Sequence, residues 1–455
     1  MGRSPRVMIA ATSSGSGKTM ITCGLLQALV NRRMKVTSFK CGPDYIDPMF
    51  HSKVIGTKSR NIDTFFADKN TIYYLMNKAT KDMDISVIEG VMGYYDGLAG
   101  ISTEASSYDV ANATNTPVVL VVNCRGMSLS ILPIIKGFLE FKENSCIKGV
   151  ILNQISEMMY PQIKKLIEEN LSIKVFGYVP VLKDLVIESR HLGLVTPNEI
   201  TDLKEKLNKL SDQFEKTINI NEIINLANSA KELEYNKPQV LKLEGNPKVA
   251  VAYDEAFCFY YQENIELLKE MGATVEYFSP IRDKKLPKNI SGLILGGGYP
   301  ELYAEALSNN KAMLEEIKYA IDKGLPCIAE CGGFMYLHES MEDNENKFHN
   351  MVGVIGGKTY KTSNLGRFGY INLKAIKDNF LCNKGSSIKA HEFHYWDSES
   401  SGESFIAEKP LRKRSWNCIN STNNLLAGFP HLYYYSNTEI PQEFIKRCIE
   451  FGGLS

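Results

Sequence analysis

Residues 7–19 of the chain read VMIAATSSGSGKT. The apolar run Val7-Met8-Ile9-Ala10 predicts a buried strand, and the apolar segment from Ile21 to Val30 has the length of a helix. A Gly-rich turn between a strand and a helix lets backbone N–H groups wrap a polyphosphate, and the helix N-terminus adds the positive end of its dipole. This stretch therefore predicts a nucleotide-binding α/β domain.

The turn itself supplies the candidate nucleotide ligands. Lys18 would reach the β- and γ-phosphates of ATP, and the Thr19 hydroxyl would ligate Mg²⁺. Thr12 stands where the strict GxxxxGK[ST] pattern has its first glycine, so the alternative is a Gly-rich turn that binds nothing. The strand–loop–helix context and the intact GKT favour nucleotide binding. The residues predicted to bind ATP are Ser14, Gly15, Ser16, Gly17, Lys18 and Thr19.

Acidic residues follow two further predicted strands of this domain. Glu89 ends the strand at 85–88, and the tip of a parallel strand beside a phosphate loop is where a magnesium ligand belongs. Alone, Glu89 would be a solvated loop acid. The segment KCGPDYIDPMFH at 40–51 places Asp44 and Asp47 at the same edge, to hold Mg²⁺ or to position an acceptor substrate together with Tyr45. The alternative for this pair is a turn in which Asp caps the next helix.

Short Val- and Ile-rich runs recur through the chain and are separated by segments of helical length, the pattern of a parallel sheet with helices on both faces. With 455 residues the chain suits two large domains. We predict an α/β fold with two doubly wound domains, residues 1–235 and 247–455, joined by a polar, Pro-containing linker at 236–246. The predicted strands lie at 7–10, 36–39, 85–88, 118–122, 149–152, 249–252, 292–295 and 326–329.

Composition excludes several classes of function. Lys plus Arg and Asp plus Glu both total 52, so the net charge is zero, which argues against a nucleic-acid partner. No apolar stretch is long enough to span a membrane, and the N-terminus has no secretory segment, so we expect a cytoplasmic protein. The ten cysteines include no CxxC pair, which predicts reduced thiols, one of them a nucleophile.

The second half of the chain carries a candidate nucleophile, Cys331, in AECGGFMYL at 329–337. A cysteine at a tight strand-to-helix turn exposes its Sγ, and the helix N-terminus favours the thiolate. The glycines Gly297, Gly298 and Gly332 would present N–H groups to an oxyanion. His431 would deprotonate the thiol. The alternative is an inert core cysteine and a structural histidine, but the three features together are much more specific.

A further cluster, HEFHYW, occupies residues 391–396. If this segment is one strand, alternate residues separate His391 from His394 on opposite faces. Metal binding, a structural role, and contact with a substrate or a domain interface all stay open for these histidines, and we assign both to substrate binding.

These motifs together resemble the cobyrinate a,c-diamide synthase family over nearly the full length of the chain. The resemblance rests on SSGSGKT, KCGPDYIDPMFH, EGVMGYYDG, GGGYPELY, AECGGFMYL and HEFHYW. It implies an N-terminal P-loop domain similar to dethiobiotin synthetase and a C-terminal class I glutamine amidotransferase domain. That branch lacks the usual third acid of the triad, so only Cys331 and His431 are assigned as catalytic. The family commonly ends in Tyr-x-His-x-His, whereas this chain has Tyr433 in place of the second histidine.

The resemblance also implies a reaction. MgATP would phosphorylate the a and c acetate carboxylates of cobyrinate, and ammonia from glutamine would displace phosphate. The same motifs would serve on Ni-sirohydrochlorin or hydrogenobyrinate, because they act on the carboxylate and not on the ring metal. A different class, the MinD-like regulatory ATPase, would leave Cys331 unexplained. The oligomeric state stays open, with a homodimer as one option.

Overall fold

The computed structural model describes residues 4–182 and 197–454. By its internal contacts the chain divides into two compact units, residues 1–238 and 239–455.

The first unit is built on a seven-stranded sheet in the order β3-β2-β4-β1-β5-β6-β7, and all the pairings between these strands are parallel. The strands are β1 Arg6–Ala11, β2 Val36–Cys41, β3 Lys58–Ile62, β4 Ile85–Glu89, β5 Val118–Asn123, β6 Ile147–Asn153 and β7 Lys174–Val179. The helices are α1 Lys18–Asn31, α2 Ile46–Phe50, α3 Lys69–Thr80, α4 Ser107–Ala113, α5 Ile131–Glu140, α6 Tyr160–Leu171, α7 Pro197–Thr217 and α8 Ile220–Asn228.

Burial explains why the central strands read as unbroken apolar runs. Every residue of β1 is buried, because helices cover both faces of a parallel sheet. The core beneath α1 includes Leu25, Leu29 and Phe214, so α7 packs on the same layer as α1. Parallel strands bring their carboxyl ends to one edge, and that edge carries the loops after β1, β2 and β4.

The second unit has a six-stranded sheet in the order β10-β8-β11-β13-β23-β22, parallel except for the β22–β23 pair. It also has a four-stranded sheet, β15-β14-β16-β19, in which only the β14–β16 pair is parallel, an antiparallel five-stranded sheet, β21-β20-β17-β18-β24, and the two-stranded β12-β9 pair. Its strands are β8 Lys248–Ala252, β9 Phe257–Phe259, β10 Thr274–Phe278, β11 Gly292–Leu295, β12 Gly297–Gly298, β13 Cys327–Glu330, β14 His338–Glu342, β15 Phe348–Asn350, β16 Ile355–Lys361, β17 Phe368–Ala375, β18 Ser387–Phe393, β19 Trp396–Ser398, β20 Phe405–Glu408, β21 Ser415–Cys418, β22 Asn420–Ser421, β23 Leu425–Gly428 and β24 His431–Leu432. Its helices are α9 Gln262–Glu270, α10 Ala304–Asn309, α11 Lys311–Asp322, α12 Gly332–Tyr336 and α13 Glu439–Leu454.

Three neighbouring parallel strands of this sheet end beside one another. β11 leads into the glycines at 296–298, β13 leads into Cys331, and β23 leads into the segment that carries His431. Their order in the sheet is β11-β13-β23, so the nucleophile strand lies between the other two. The fold therefore brings the predicted glutaminase motifs to one edge.

The segment 391–396 is not one strand, so the face alternation expected there is wrong beyond Phe393. β18 ends at Phe393 and β19 begins at Trp396, which belongs to a different sheet. His391 lies in β18, His394 lies between β18 and β19, and both are buried.

Within the part of the chain that is described, no helix combines the length and apolar character required to cross a lipid bilayer.

Candidate active site

The phosphate loop joins β1 to α1 in the first unit. Gly17 has a φ of 92°, a left-handed conformation that glycine adopts without strain, and a Cβ at this position would collide with the amide group of Asn153. The Asn153 amide donates to the Ser16 carbonyl at 2.9 Å, so the end of β6 braces the loop. Ser16 is buried, and Ser14 and Gly15 are exposed. The loop is thus held in a shape that leaves its outer turn open.

Lys18 lies at the first position of α1, and its ammonium group donates to the Met92 carbonyl. Burial, together with the charge of Lys40, lowers the pKa of Lys18 to about 8. The carboxylates of Glu89, Asp96 and Asp47 act on Lys18 in the opposite direction, so Lys18 lies among charges of both signs.

Thr19 and Glu89 meet at the carboxyl edge, where the Thr19 hydroxyl donates to Glu89 Oε1 at 2.7 Å. Glu89 is fully buried, and its Oε2 accepts no hydrogen bond within the described chain. No three His, Cys, Asp or Glu side chains converge as metal ligands among the described residues. Mg²⁺ commonly takes only one or two protein oxygens and completes its shell with phosphate and water, so this pair of hard oxygen donors fits Mg²⁺.

Lys40 is a site residue that the sequence patterns did not single out. Its ammonium group contacts the carboxylate of Asp47 and lies 2.8 Å from Glu89 Oε1. The pairing of β2 with β4 sets Lys40 directly across from Glu89, which explains the contact. Burial opposes the charge on Lys40, yet Glu89 and Asp47 outweigh it and hold the pKa of Lys40 well above its ordinary value.

The pKa values of the two carboxylates that contact Lys40 are shifted in opposite directions. Burial opposes ionisation of Glu89, but Lys40 and His51 outweigh it and lower the pKa of Glu89 below its ordinary value. Burial and the nearby charge of Glu89 raise the pKa of Asp47 to about 7. The shifts favour the charged form of Glu89 and the protonated form of Asp47.

Asp44 and Asp47 differ in their contacts. Asp44 Oδ1 accepts the backbone N–H of Ile46 at 2.8 Å and of Asp47 at 3.2 Å, as expected for an aspartate that caps a helix start. Only Asp47 contacts the Lys40–Glu89 pair. Tyr45, between the two aspartates, is buried.

His51 is a further site residue that was missed. It is fully buried, opens a π-helical turn at His51–Ile55, and places Nε2 3.4 Å from Glu89 Oε2. Single π turns occur often at functional sites. The signal in the sequence was the position of this histidine at the end of the KCGPDYIDPMFH motif.

Cys331 occupies a strained turn between β13 and α12. Its backbone has φ 48° and ψ −104°, a conformation that costs a non-glycine residue energy and is common at active sites. The Cys331 N–H donates to the Gly428 carbonyl at 2.8 Å, which fixes the turn against β23. The predicted nucleophile turn is present.

The glycines and His431 pack against one another beside this turn. A Cβ at Gly297 would collide with Cε1 of His431, and a Cβ at Gly332 would lie 3.2 Å from the Gly298 nitrogen. These contacts connect the glycine loop to the histidine on one side and to the residue after Cys331 on the other. The structure therefore places Gly297 against His431, and Gly298 against Gly332, the residue that follows Cys331.

Burial disfavours the charged forms of both Cys331 and His431. Burial and the charge of Glu301 raise the pKa of the Cys331 thiol, so the expected thiolate is not favoured at the helix N-terminus. Burial and His394 lower the pKa of His431 to about 3, which leaves its imidazole neutral. A neutral imidazole can accept the thiol proton as the sulfur attacks.

His391 and His394 both lie near the segment that carries His431. His391 is the cross-strand partner of His431 in the β18–β24 pair, and their rings are 6.2 Å apart. His394 stacks on Phe429 at 3.8 Å and lies 3.4 Å from Glu392 Oε2. Both histidines thus pack around the catalytic segment.

The comparisons with known proteins agree for the two halves of the chain. Residues 7–194 match the family described as the CobQ/CobB/MinD/ParA nucleotide binding domain. Residues 248–438 match the CobB/CobQ-like glutamine amidotransferase domain.

Several relatives match the chain from end to end. The cobyrinate a,c-diamide synthase of Caldanaerobacter subterraneus subsp. tengcongensis is 42% identical over 448 residues, which cover 98% of this chain and 98% of that protein. The protein of the same name from Clostridium tetani is 41% identical over 449 residues, covering 98% and 99%. That from Priestia megaterium is 39% identical over 448 residues, covering 97% of each.

Proposed function

Because the chain belongs to the cobyrinate a,c-diamide synthase family, we propose that it amidates the a and c acetate carboxylates of cobyrinate with ammonia from glutamine. It is a glutamine-hydrolysing ligase of cobalamin biosynthesis that uses ATP. The observation that carries the proposal is the presence, in one chain, of a phosphate loop with Thr19 and Glu89 and of a Cys331 turn beside His431.

In the glutaminase half, Cys331 Sγ attacks the side-chain amide of glutamine while His431 takes the thiol proton. The backbone N–H groups of Gly298 and Gly332 stabilise the negative oxygen of the tetrahedral intermediate. The protonated His431 then gives its proton to the leaving nitrogen, ammonia departs, and water hydrolyses the thioester to glutamate and the free thiol.

In the synthetase half, a substrate carboxylate oxygen attacks the γ-phosphorus of ATP, ADP departs, and an acyl phosphate forms. Lys18 and the N–H groups of residues 14–19 hold the phosphoryl oxygens. Ammonia then attacks the acyl carbon, and inorganic phosphate leaves with the carboxylate oxygen that was phosphorylated. Two such rounds give the diamide.

Mg²⁺ would be held by Thr19 and Glu89, and when bound it neutralises phosphate charge. We assign Asp47, which contacts Lys40, to the acceptor side of the site with Tyr45. Asp44 has its Oδ1 engaged by the start of α2, so its contribution to Mg²⁺ would come through the other oxygen.

The choice of tetrapyrrole is tested by incubating the protein with ATP, Mg²⁺, glutamine and one tetrapyrrole at a time. The masses of the products are then measured by mass spectrometry. Cobyrinate should gain two amides. Amidation of hydrogenobyrinate or Ni-sirohydrochlorin in preference to cobyrinate would move the function to that ring, and no mass change with any of the three would refute the proposed activity.

The acyl phosphate is tested with ¹⁸O in the substrate carboxylates. Each amidation should transfer one ¹⁸O atom to inorganic phosphate, because the carboxylate oxygen is the attacking atom. Phosphate without ¹⁸O would exclude this intermediate.

A further inference from the structure

Glu330 links the nucleophile segment to the base segment of the glutaminase site. It precedes Cys331 at the end of β13, and its Oε1 accepts the backbone N–H of Leu432 at 3.2 Å. Leu432 directly follows His431 in β24. One carboxyl group therefore joins the neighbours of the two catalytic residues.

The segment that carries His431 is short, and side chains from other elements add to its pairing with β18. Residues 429–433 read FPHLY and contain no acidic side chain. β24 has only two residues, and the carbonyl of Leu432 is held from another element, by the side-chain amide of Asn264 at 2.8 Å. The N–H of Leu432 is held by Glu330. The segment is therefore held by β18 on one edge, through the pairing of His431 with His391, and by these two side chains at Leu432.

The ring of His431 is closely packed, so His431 cannot shift without moving its neighbours. A Cβ at Gly297 would lie only 2.4 Å from Cε1 of His431, so the ring packs directly on the backbone of the glycine loop. Cys331 is fixed on the other side through its own N–H bond to Gly428. A shift of β24 would change the distance between base and nucleophile, and such errors are costly to catalysis.

We propose that Glu330 is a positioning residue for glutamine hydrolysis, holding His431 in register with Cys331 through the N–H of Leu432. This inference rests on the glutaminase activity proposed above. Burial raises the pKa of Glu330 to about 8, so at neutral pH the group is a carboxylic acid and accepts the N–H through an uncharged oxygen. An amide oxygen can do the same, but the shorter side chain of aspartate places its oxygens about 1.5 Å farther back.

The experiment compares glutamine hydrolysis by the wild type with that of Glu330→Gln, Glu330→Asp and Glu330→Met. Glu330→Gln should keep kcat within about threefold, because it retains the acceptor. Glu330→Asp and Glu330→Met should lower kcat about 10- to 100-fold with KM changed less than about threefold, because the base and nucleophile are misplaced while the glutamine pocket is untouched.

Glu342→Met is the matched control. Glu342 also accepts a backbone N–H, that of Lys361 at 2.7 Å, but on β14 in a different sheet, so its loss should leave kcat unchanged. Circular dichroism and thermal unfolding establish that each variant is folded. If Glu330→Met does not fold, the contrast between Glu330→Asp and Glu330→Gln decides.

The outcomes separate this inference from the proposed function. A wild type without glutaminase activity would refute the proposed function itself. An active wild type with an equally active Glu330→Asp variant would refute the positioning role alone. A Glu330→Gln variant as impaired as Glu330→Asp would also overturn it, because the carboxyl group and not the acceptor would then be required.

Discussion

Lys40 contacts the carboxylates of Asp47, which lies seven residues later in the chain, and of Glu89, which lies 49 residues later. All three side chains are buried, so their charges depend on one another. Removing one member of a buried ion pair costs about 3–5 kcal/mol, since the charge left behind has lost its partner.

We expect Lys40→Met to lower the free energy of unfolding by about 3 kcal/mol at pH 7, because Asp47 and Glu89 then face each other without a cation. The loss of stability should be smaller at pH 5.5. In the folded variant, Asp47 and Glu89 without Lys40 bind a proton more readily than they do in the wild type, and this proton relieves their repulsion. The carboxylates of the unfolded chain, with pKa values of about 4, stay ionised at that pH. Urea unfolding at both pH values measures this.

The control for this substitution is Lys165→Met. Lys165 lies 3.8 Å from Glu169 on the exposed side of α6, and such pairs contribute less than about 1 kcal/mol. Equal stability of Lys40→Met and the wild type at pH 7 would contradict the buried cluster.

At this scale the sequence identified the residues whose chemistry is local and missed those whose partners come from the fold. Lys18, Thr19 and Cys331 stand in motifs with fixed spacing. Lys40 meets Glu89 through the pairing of β2 with β4, and Glu330 meets Leu432, 102 residues later in the chain; neither contact is visible in a single sequence.

Among the elements, the glycine loop after β11 makes the most stringent steric demand. Gly297 leaves room for the ring of His431, so any side chain there displaces either the loop or the base. Gly356, in β16 of the same unit, has no atom near the place of a Cβ.

We expect Gly297→Ala to lower glutaminase kcat about 100-fold or more, the loss typical of a damaged oxyanion site, and Gly356→Ala to change it less than about twofold. Steady-state glutamate release by the two folded variants measures the difference. Similar activities would show that the loop does not pack on the base during catalysis.

The sequence predicted eight strands of the two largest sheets but missed β3, β7, β10 and β23, and it missed every strand between residues 338 and 418. The parallel strands are buried on both faces, so they read as continuous apolar runs such as 118–122. β16 and β17 alternate exposed and buried residues and include many polar ones, for example KTYK at 358–361. Their order depends on contacts between distant segments, which the apolar pattern does not encode.

At the scale of the whole molecule, two reactions are assigned to two separate units. Cys331→Ala should abolish glutamine-dependent amidation, lowering it at least about 1,000-fold, because the nucleophile is lost. It should keep amidation with free ammonia at high concentration within about threefold of the wild type, because the first unit is unchanged.

Cys382→Ala is the control, since Cys382 is a free cysteine of the same unit that lies outside the predicted site. Loss of both amidation reactions in folded Cys331→Ala would contradict the division of labour.

The complementary change is Lys18→Ala. Amidation should fall about 100-fold or more with either nitrogen source, because the γ-phosphoryl group loses its cation. Glutamine hydrolysis should persist, since Lys18 belongs to the other unit. The exposed Lys81→Ala is the control, and full amidation by Lys18→Ala would refute the role of the phosphate loop.

The most direct test of the account follows the nitrogen atom. The protein is incubated with cobyrinate, ATP, Mg²⁺ and glutamine labelled with ¹⁵N in its side-chain amide. The mass of the corrinoid product is then measured by mass spectrometry. We expect a diamide that carries two ¹⁵N atoms and that does not form when ATP is omitted. Hydrolysis of glutamine and ATP without ¹⁵N in the corrinoid would contradict it.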